Sequence, residues 1–192
     1  MNLIETSLDG VLIVEPRVFS DSRGYFFESY NQALFEKAGI RYSFVQDNQS
    51  KSAFGTIRGL HFQKGKYAQA KLVRVLQGKV LDVVVDLRKG APTFGQHLAI
   101  ELSDENKWQL LIPCGFGHGF SVLSETAVFS YKCDNFYVPE SEGAVKFDDP
   151  DLAIDWRIDM DKVLLSDKDK VAPGFQAYCQ SPAFFYKDTE GI

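Results

Sequence analysis

Residues 79–88 read KVLDVVVDLR. Leu81, Val83, Val85 and Leu87 alternate with Val80, Asp82, Val84, Asp86 and Arg88, a period of two with one wholly apolar face. An extended chain sends successive side chains to opposite faces of a sheet, so this stretch reads as a strand with that face packed into a core. The text on either side is of the same kind: KLVRVLQG (71–78), HLAIELSDENK (97–107), WQLLIPCGFGHGFSVL (108–123) and AVFSYKCDNFYVP (127–139). Turn signals at Gln77-Gly78, at Lys89-Gly90-Ala91-Pro92 and across Ser103–Asn106 separate them. Their spacing, roughly 10 to 15 residues, is that of sandwiches, jelly rolls and barrels. An all-β core follows.

Composition agrees. The 192 residues are 45% hydrophobic and carry 16 Phe and 8 Tyr, and β-branched and aromatic side chains suit a pleated, half-buried surface. One domain over 1–192 is expected, with the core at about 44–140 and a loop-rich, acidic tail at about 141–192 wrapping over it. Upstream, VLIVEPRVF (11–19) is a strand that Pro16 interrupts at an edge or bulge, and DSRG (21–24) is a turn. SYNQALFEKAG (29–39) is a short helix: Asn31 caps it, Leu34, Phe35 and Ala38 share a face, and Gly39 ends it. Ser166 starts a second short helix in the tail.

The formal net charge is −5 and the basic residues are scattered, which excludes the broad cationic face that nucleic acid requires. No apolar run approaches the roughly 20 residues needed to span a bilayer, and the start lacks a basic leader, so a cytoplasmic chain without a membrane partner is expected. Cys114, Cys133 and Cys179 lie at wide spacings with no CxxC. They are expected as reduced thiols, with neither a disulfide framework nor structural zinc.

In a small barrel, residues of one parity point into the mouth, where such folds hold small ligands. Lys71, Val73 and Val75 share one face, Phe116, His118 and Phe120 another, and Phe129, Tyr131 and Cys133 a third. Arg58, His61, Lys71, His118 and Tyr131 thereby form a candidate set of bases, acids and cations. Each has an ordinary alternative as a hydrogen-bonded core histidine, an anchored tyrosine or a solvated lysine. Cupin-type jelly rolls often bind a divalent ion through His-x-His, but here the comparable place reads His61-Phe62-Gln63, and a neutral amide is a poor transition-metal ligand. No metal and no cofactor are expected. A histidine that binds no metal is free to act as a base if a carboxylate orients it and stabilises the imidazolium. Asp169 is one of many candidates, and Ser166-x-x-Asp169 also fits a helix capping box. The pattern leaves both readings open.

Several segments together resemble one family, the dTDP-4-dehydrorhamnose 3,5-epimerases: FSDSRGYFFESY (19–30), FVQDNQSKS (44–52), TIRGLHFQ (56–63), the runs 68–95 and 102–140, DDPDLAIDW (148–156) and LSDKD (165–169). The resemblance implies a cupin-type jelly roll, active as a homodimer without metal or cofactor. The implied reaction inverts C3 and C5 of a 4-keto-6-deoxyhexose on thymidine diphosphate. By the same resemblance His61 is the base, Asp169 its dyad partner, Tyr131 the acid on the opposite face, and Lys71 the neighbour of the 4-keto oxygen. Arg23, Glu28, Gln46, Asp47, Asn48, Arg58, His118, Glu142 and Lys168 are implied around the nucleotide, diphosphate and sugar. The chain departs from the family's common pattern at KGKY (64–67) and Gly117, neither of which touches the acid or base. Three other readings stay open: a C3-only epimerase, a 3,4-ketoisomerase, and a non-catalytic sugar-nucleotide-binding cupin.

Overall fold

The computed structural model describes residues 1–186; the last six residues of the expected tail lie outside the described residues. In chain order the strands are β1 (Asn2–Glu5), β2 (Leu12–Glu15), β3 (Phe19–Asp21), β4 (Gly24–Phe26), β5 (Gln46–Ala53), β6 (Ile57–Gln63), β7 (Lys71–Gln77), β8 (Lys79–Asp86), β9 (Arg88–Lys89), β10 (His97–Ser103), β11 (Gln109–Ile112), β12 (Phe116–Val122), β13 (Thr126–Cys133), β14 (Glu142–Ala144) and β15 (Phe184–Phe185). The short helices are α1 (Gln32–Lys37), α2 (Asp167–Lys170) and α3 (Phe175–Gln180). A larger sheet runs β1-β2-β11-β7-β13-β5 and a smaller one β10-β8-β12-β6-β14. Their pairings are antiparallel. This is the all-β jelly roll expected, with its small N-terminal helix and wrapping tail.

Between the sheets lie Val73, Val75, Val80, Val84, Leu110, Ile112, Phe116, Phe120 and Phe129, all buried. Each such side chain removed from water contributes about 1.5–3 kcal/mol before entropy is counted. The strand read from KVLDVVVDLR is β8, but it is buried on both faces. Leu81, Val83, Val85 and Leu87 face away from the other sheet and pack under the tail, against Phe147, Trp156, Phe175, Tyr178 and Phe184. The expected packing of the apolar face is met under the tail, which forms a third layer, and the opposite face is buried as well, against the larger sheet.

Helix α1 docks on the outer face of the larger sheet, where Phe35 and Ile40 meet Val14, Leu72 and Leu111. Asn31 caps it through a 3.3 Å bond from Leu34 N, and Gly39 follows with φ +87°. Leu34 is 40% exposed, so the buried stripe is narrower than the expected Leu34–Phe35–Ala38 face. Pro16 ends β2, which lies between β1 and β11 and not at an edge. β3 and β4 form a separate two-stranded hairpin around the DSRG turn.

One close backbone crossing sets the site. Strands β6 and β12 come so near that a Cβ on Gly59 would lie 2.4 Å from Gly119 Cα, and one on Gly119 2.7 Å from Arg58 O. Only glycine fits at that crossing. It draws Arg58 and His61 of β6 beside His118 of β12, with a register shift between His118 and Phe120.

Candidate active site

The sheets open at one end on a cavity of about 420 Å³, lined among others by Gln46, Asn48, Arg58, His61, Lys71, His118, Tyr131, Glu142 and Lys168. The smaller sheet supplies Arg58, His61, His118 and Glu142, and the larger supplies Gln46, Asn48, Lys71 and Tyr131. The parity readings for Lys71, His118 and Tyr131 agree with this arrangement. Cys133, two residues from Tyr131 on β13, lines the same wall and pairs across the ladder with Lys71.

His61 Nε2 lies 2.5 Å from Asp169 Oδ1. The Asp169 side chain is 3% exposed and that of His61 25%, so the carboxylate serves the ring and the ring faces the cavity. Burial by itself raises the Asp169 carboxyl, but the hydrogen bonds from His61 and Ser166 outweigh it and hold it below the ordinary carboxylate range. An ionised Asp169 accepts the Nε2 proton, which leaves Nδ1 with the lone pair that a base needs. Of the capping box the serine half is present, while the carboxylate lies against His61 and the Ser166 hydroxyl. Ser166 Oγ accepts from Asp169 N at 3.2 Å as a helix cap, and its hydroxyl also donates to Asp169 Oδ2 at 2.8 Å, steadying the carboxylate for His61.

A carboxyl whose folded value is depressed stabilises the native state above its unfolded value, about 3.9. That stability is lost as pH falls through the lower folded value. Asp169→Asn is therefore expected to unfold at lower urea than wild type at pH 7, with the gap closing below about pH 4. Midpoints measured at both pH values check this; a gap that persists unchanged in acid would show that packing, not charge, is lost.

His118 has a carboxylate too: its Nε2 sits 3.0 and 3.1 Å from the two oxygens of Asp82, which is fully buried. Sequence reasoning passed over Asp82. Its signal was a lone carboxylate inside VLDVVV, an expensive group to bury without a partner. Ser52 was also passed over; its hydroxyl accepts from Arg58 Nε at 3.2 Å and aims the guanidinium. Gln63 makes three bonds to backbone, donating to Tyr67 O and Phe136 O and accepting from Val138 N, so its amide builds the cavity wall.

Lys71 and Arg58 have no carboxylate partner among the described residues. Burial pushes the Lys71 ammonium below lysine's ordinary value, opposed by the nearby Cys133, Asp82 and Glu142. Burial also raises the Tyr131 phenol, against the pull of Arg58, so it stays protonated at neutral pH. Cys133 is pushed up to about 11 by burial and is a neutral thiol.

Three residues expected near a ligand lie outside this cavity. Asp47 sits between Gln46 and Asn48 on β5, so strand alternation turns it outward, where both oxygens pair with Lys132 at 2.9 Å. Arg23 is on the exposed β3–β4 hairpin and pairs with Asp21 at 2.6 Å. Glu28 borders a second, smaller cavity with Ser29, Tyr30 and Gln109.

A family model described as dTDP-4-dehydrorhamnose 3,5-epimerase matches residues 5–177. The dTDP-4-dehydrorhamnose 3,5-epimerase of Salmonella typhimurium is 53% identical over 174 residues, 90% of this chain and 94% of its own. The crystal structure of the enzyme of that name from Elizabethkingia anophelis superposes with a TM-score of 0.88 at 58% identity, covering 92% of this chain and 97% of that one. A Legionella pneumophila dTDP-6-deoxy-D-glucose-3,5-epimerase, solved in complex with dTDP-4-keto-L-rhamnose, gives 0.92 at 47% identity over 96% and 98%. The chain belongs to the dTDP-4-dehydrorhamnose 3,5-epimerase family.

Proposed function

We propose that this protein epimerises C3 and C5 of dTDP-4-dehydro-6-deoxy-D-glucose to give dTDP-4-dehydro-L-rhamnose. The observation that carries the mechanism is the placement of His61–Asp169 on the smaller sheet and Tyr131 on the larger, with one cavity between them. A sugar ring held there presents one face to a base and the other to an acid.

Both C3 and C5 adjoin the C4 ketone, so one enolate chemistry serves both. His61 takes the proton, the electron pair moves onto O4, and the Lys71 ammonium, which is in no ion pair among the described residues, stabilises that oxygen. Tyr131 then gives its proton to the opposite face, and exchange with water restores phenol and neutral imidazole. Arg58, whose guanidinium meets no carboxylate among the described residues, and Gln46, Asn48 and His118 are the contacts proposed for diphosphate, nucleotide and sugar. Glu142 and Lys168 stand at the cavity mouth.

The proposed protein is a homodimer of the cytoplasm. Among the described residues no helix is long and apolar enough to cross a membrane. Phe19, Tyr25 and Phe26 are 51%, 59% and 66% exposed on the lone β3–β4 hairpin, a surface suited to a second copy. Arg23, remote from its own chain's cavity, would contact a ligand only in such a copy; a monomeric sedimentation coefficient would remove this part.

Incubation with dTDP-4-keto-6-deoxyglucose in D2O should place deuterium at both C3 and C5 of inverted product. Deuterium and inversion at C3 alone would indicate a C3 epimerase, and a moved carbonyl a ketoisomerase. Exhaustive chelation should leave the rate unchanged, since base, acid and ammonium complete the step; loss restored by one divalent ion would overturn the metal-free mechanism.

A further inference from the structure

We propose that Ser166 is a positioning residue of the reaction: its hydroxyl proton, given to Asp169, fixes the plane of the carboxylate and through it the direction in which His61 presents the Nδ1 lone pair. The inference deepens the epimerase reading and rests on it.

His61 and Asp169 meet at single atoms, Nε2 and Oδ1, 2.5 Å apart. The last torsion of each side chain joins an sp3 carbon to a flat sp2 group and is broad. One hydrogen bond therefore fixes a distance and leaves the carboxylate able to swing. Oδ2 supplies the second point. Among the described residues the side chain that bonds to it is Ser166, through Oγ at 2.8 Å, and a carboxylate only 3% exposed is too buried for water to take that place. Held at both oxygens, the carboxylate has one plane, and the ring bonded to it one orientation.

The direction of the Ser166 bond follows from its neighbours. Asp169 N, 3.2 Å from the same Oγ, can only donate, so it takes a lone pair of the hydroxyl. The ionised carboxylate can only accept, so the single hydroxyl proton points at Oδ2. Ser166 is in turn placed by the strand that carries the base. Thr56 and Leu164 form an isolated bridge, in which Leu164 N donates to Gly55 O at 2.9 Å and Ile57 N to Leu164 O at 3.0 Å. Ile57 opens β6, and His61 lies further along it. One strand thus holds the imidazole directly and, through Leu164, the serine that steadies its carboxylate.

A serine that only capped α2 would behave differently on substitution. A cap needs an acceptor and no proton. By that role Ser166→Asp equals wild type, Ser166→Thr and Ser166→Gly are matched slightly below it, and Ser166→Ala is worst. A donor to Oδ2 needs the proton. By that role Ser166→Thr matches wild type, Ser166→Gly and Ser166→Ala both lose, and Ser166→Asp is worst, because it sets a second carboxylate against the first. The two orders part at Ser166→Asp and within the Thr and Gly pair, whose members differ as donors and not as caps.

The test compares Ser166→Thr, Ser166→Gly and Ser166→Asp by solvent deuterium exchange into dTDP-4-keto-6-deoxyglucose and by kcat and KM for inversion. Small displacements of a catalytic group cost rate steeply, so Ser166→Gly should lose about tenfold in kcat and in exchange with KM within about twofold, Ser166→Thr should stay within about threefold of wild type, and Ser166→Asp should lose more than Ser166→Gly. In an Asp169→Asn background Ser166→Gly should cost nothing further, because its route of action is already gone. In the free protein, the downfield imidazole N–H resonance of His61 should broaden in Ser166→Gly and persist in Ser166→Thr, a readout independent of turnover. Equal rates for Ser166→Thr and Ser166→Gly would leave the serine a helix cap and overturn the inference. So would wild-type exchange in Ser166→Asp, or a loss confined to KM. If Ser166→Asp shows no urea transition, the Thr and Gly pair decides alone. Failure of the epimerase reading itself would show as absence of exchange in the wild type, and the resonance would still test the hydroxyl.

Discussion

His61→Asn is expected to abolish deuterium incorporation at C3 and C5 together with product formation, a fall on the order of 10²–10⁴-fold for loss of a general base. Proton removal precedes every later step, so no partial reaction should survive. The fold should, because β6 is held by β12, β14 and the tail, and an Asn amide can still donate to Asp169. Asp169→Asn should fall in the same direction for a different reason. An amide NH2 turned toward Nε2 selects the opposite tautomer, leaving the proton on Nδ1 where the lone pair is required, and a neutral amide cannot stabilise imidazolium by charge. The cavity contains a second histidine–carboxylate pair, His118–Asp82, which makes the test sharp. His118 is 7% exposed and its Nε2 is shared between both oxygens of a fully buried carboxylate, which suits a fixed donor. Exchange that survives in His61→Asn and disappears in His118→Asn would transfer the base to that pair.

Much of this site was legible in the order of residues, and the limits of legibility have physical causes. Strand parity put Lys71, His118 and Tyr131 on inward faces because a period of two is fixed by backbone geometry and needs no partner. The same parity, applied to β5, separates Gln46 and Asn48 from Asp47, although resemblance had grouped all three with the ligand. What parity cannot report is what covers a face. KVLDVVVDLR shows an apolar side and a mixed side, yet both are buried, because Trp156, Phe175 and Phe184 arrive from a tail more than 60 residues downstream. Asp82 lies on the mixed side, and its role emerges only when β12 brings His118 beside it.

Asp169 shows a second kind of limit. Its local pattern with Ser166 is that of a helix cap, and its long-range role with His61 spans 108 positions in the chain. The cap uses Ser166 Oγ and the Asp169 backbone N–H, which leaves the carboxylate to His61, so neither reading excluded the other. Arg23 and Glu28 mark a third limit. The resemblance implied them around a ligand, but their own chain sends them to a hairpin and a separate cavity. For Arg23 the proposed role lies with the ligand of a second copy of the chain.

Tyr131→Phe removes one hydroxyl from the wall opposite His61 and leaves the base, the ammonium and the ring packing against Phe129 in place. If Tyr131 delivers the proton, the variant still forms the enolate, because His61 and Lys71 suffice for that step. Of the two groups assigned to proton transfer, the one then left holding a proton is His61, which stands on the face the proton left. The imidazolium proton exchanges with solvent, so its return labels the carbon without inverting it. Substrate should therefore gain deuterium with configuration retained, while inverted product falls by about 10²–10⁴-fold, the range for losing a general acid. Burial keeps the wild-type phenol protonated at neutral pH, so its loss is the loss of a donor and not of a phenolate. NMR of the sugar recovered from D2O separates the outcomes, since label and configuration are read from the same carbon. Epimerised product at the wild-type rate would make Tyr131 a packing residue. Loss of exchange along with inversion would show that the hydroxyl is needed to form the enolate, which the opposed-wall mechanism does not allow.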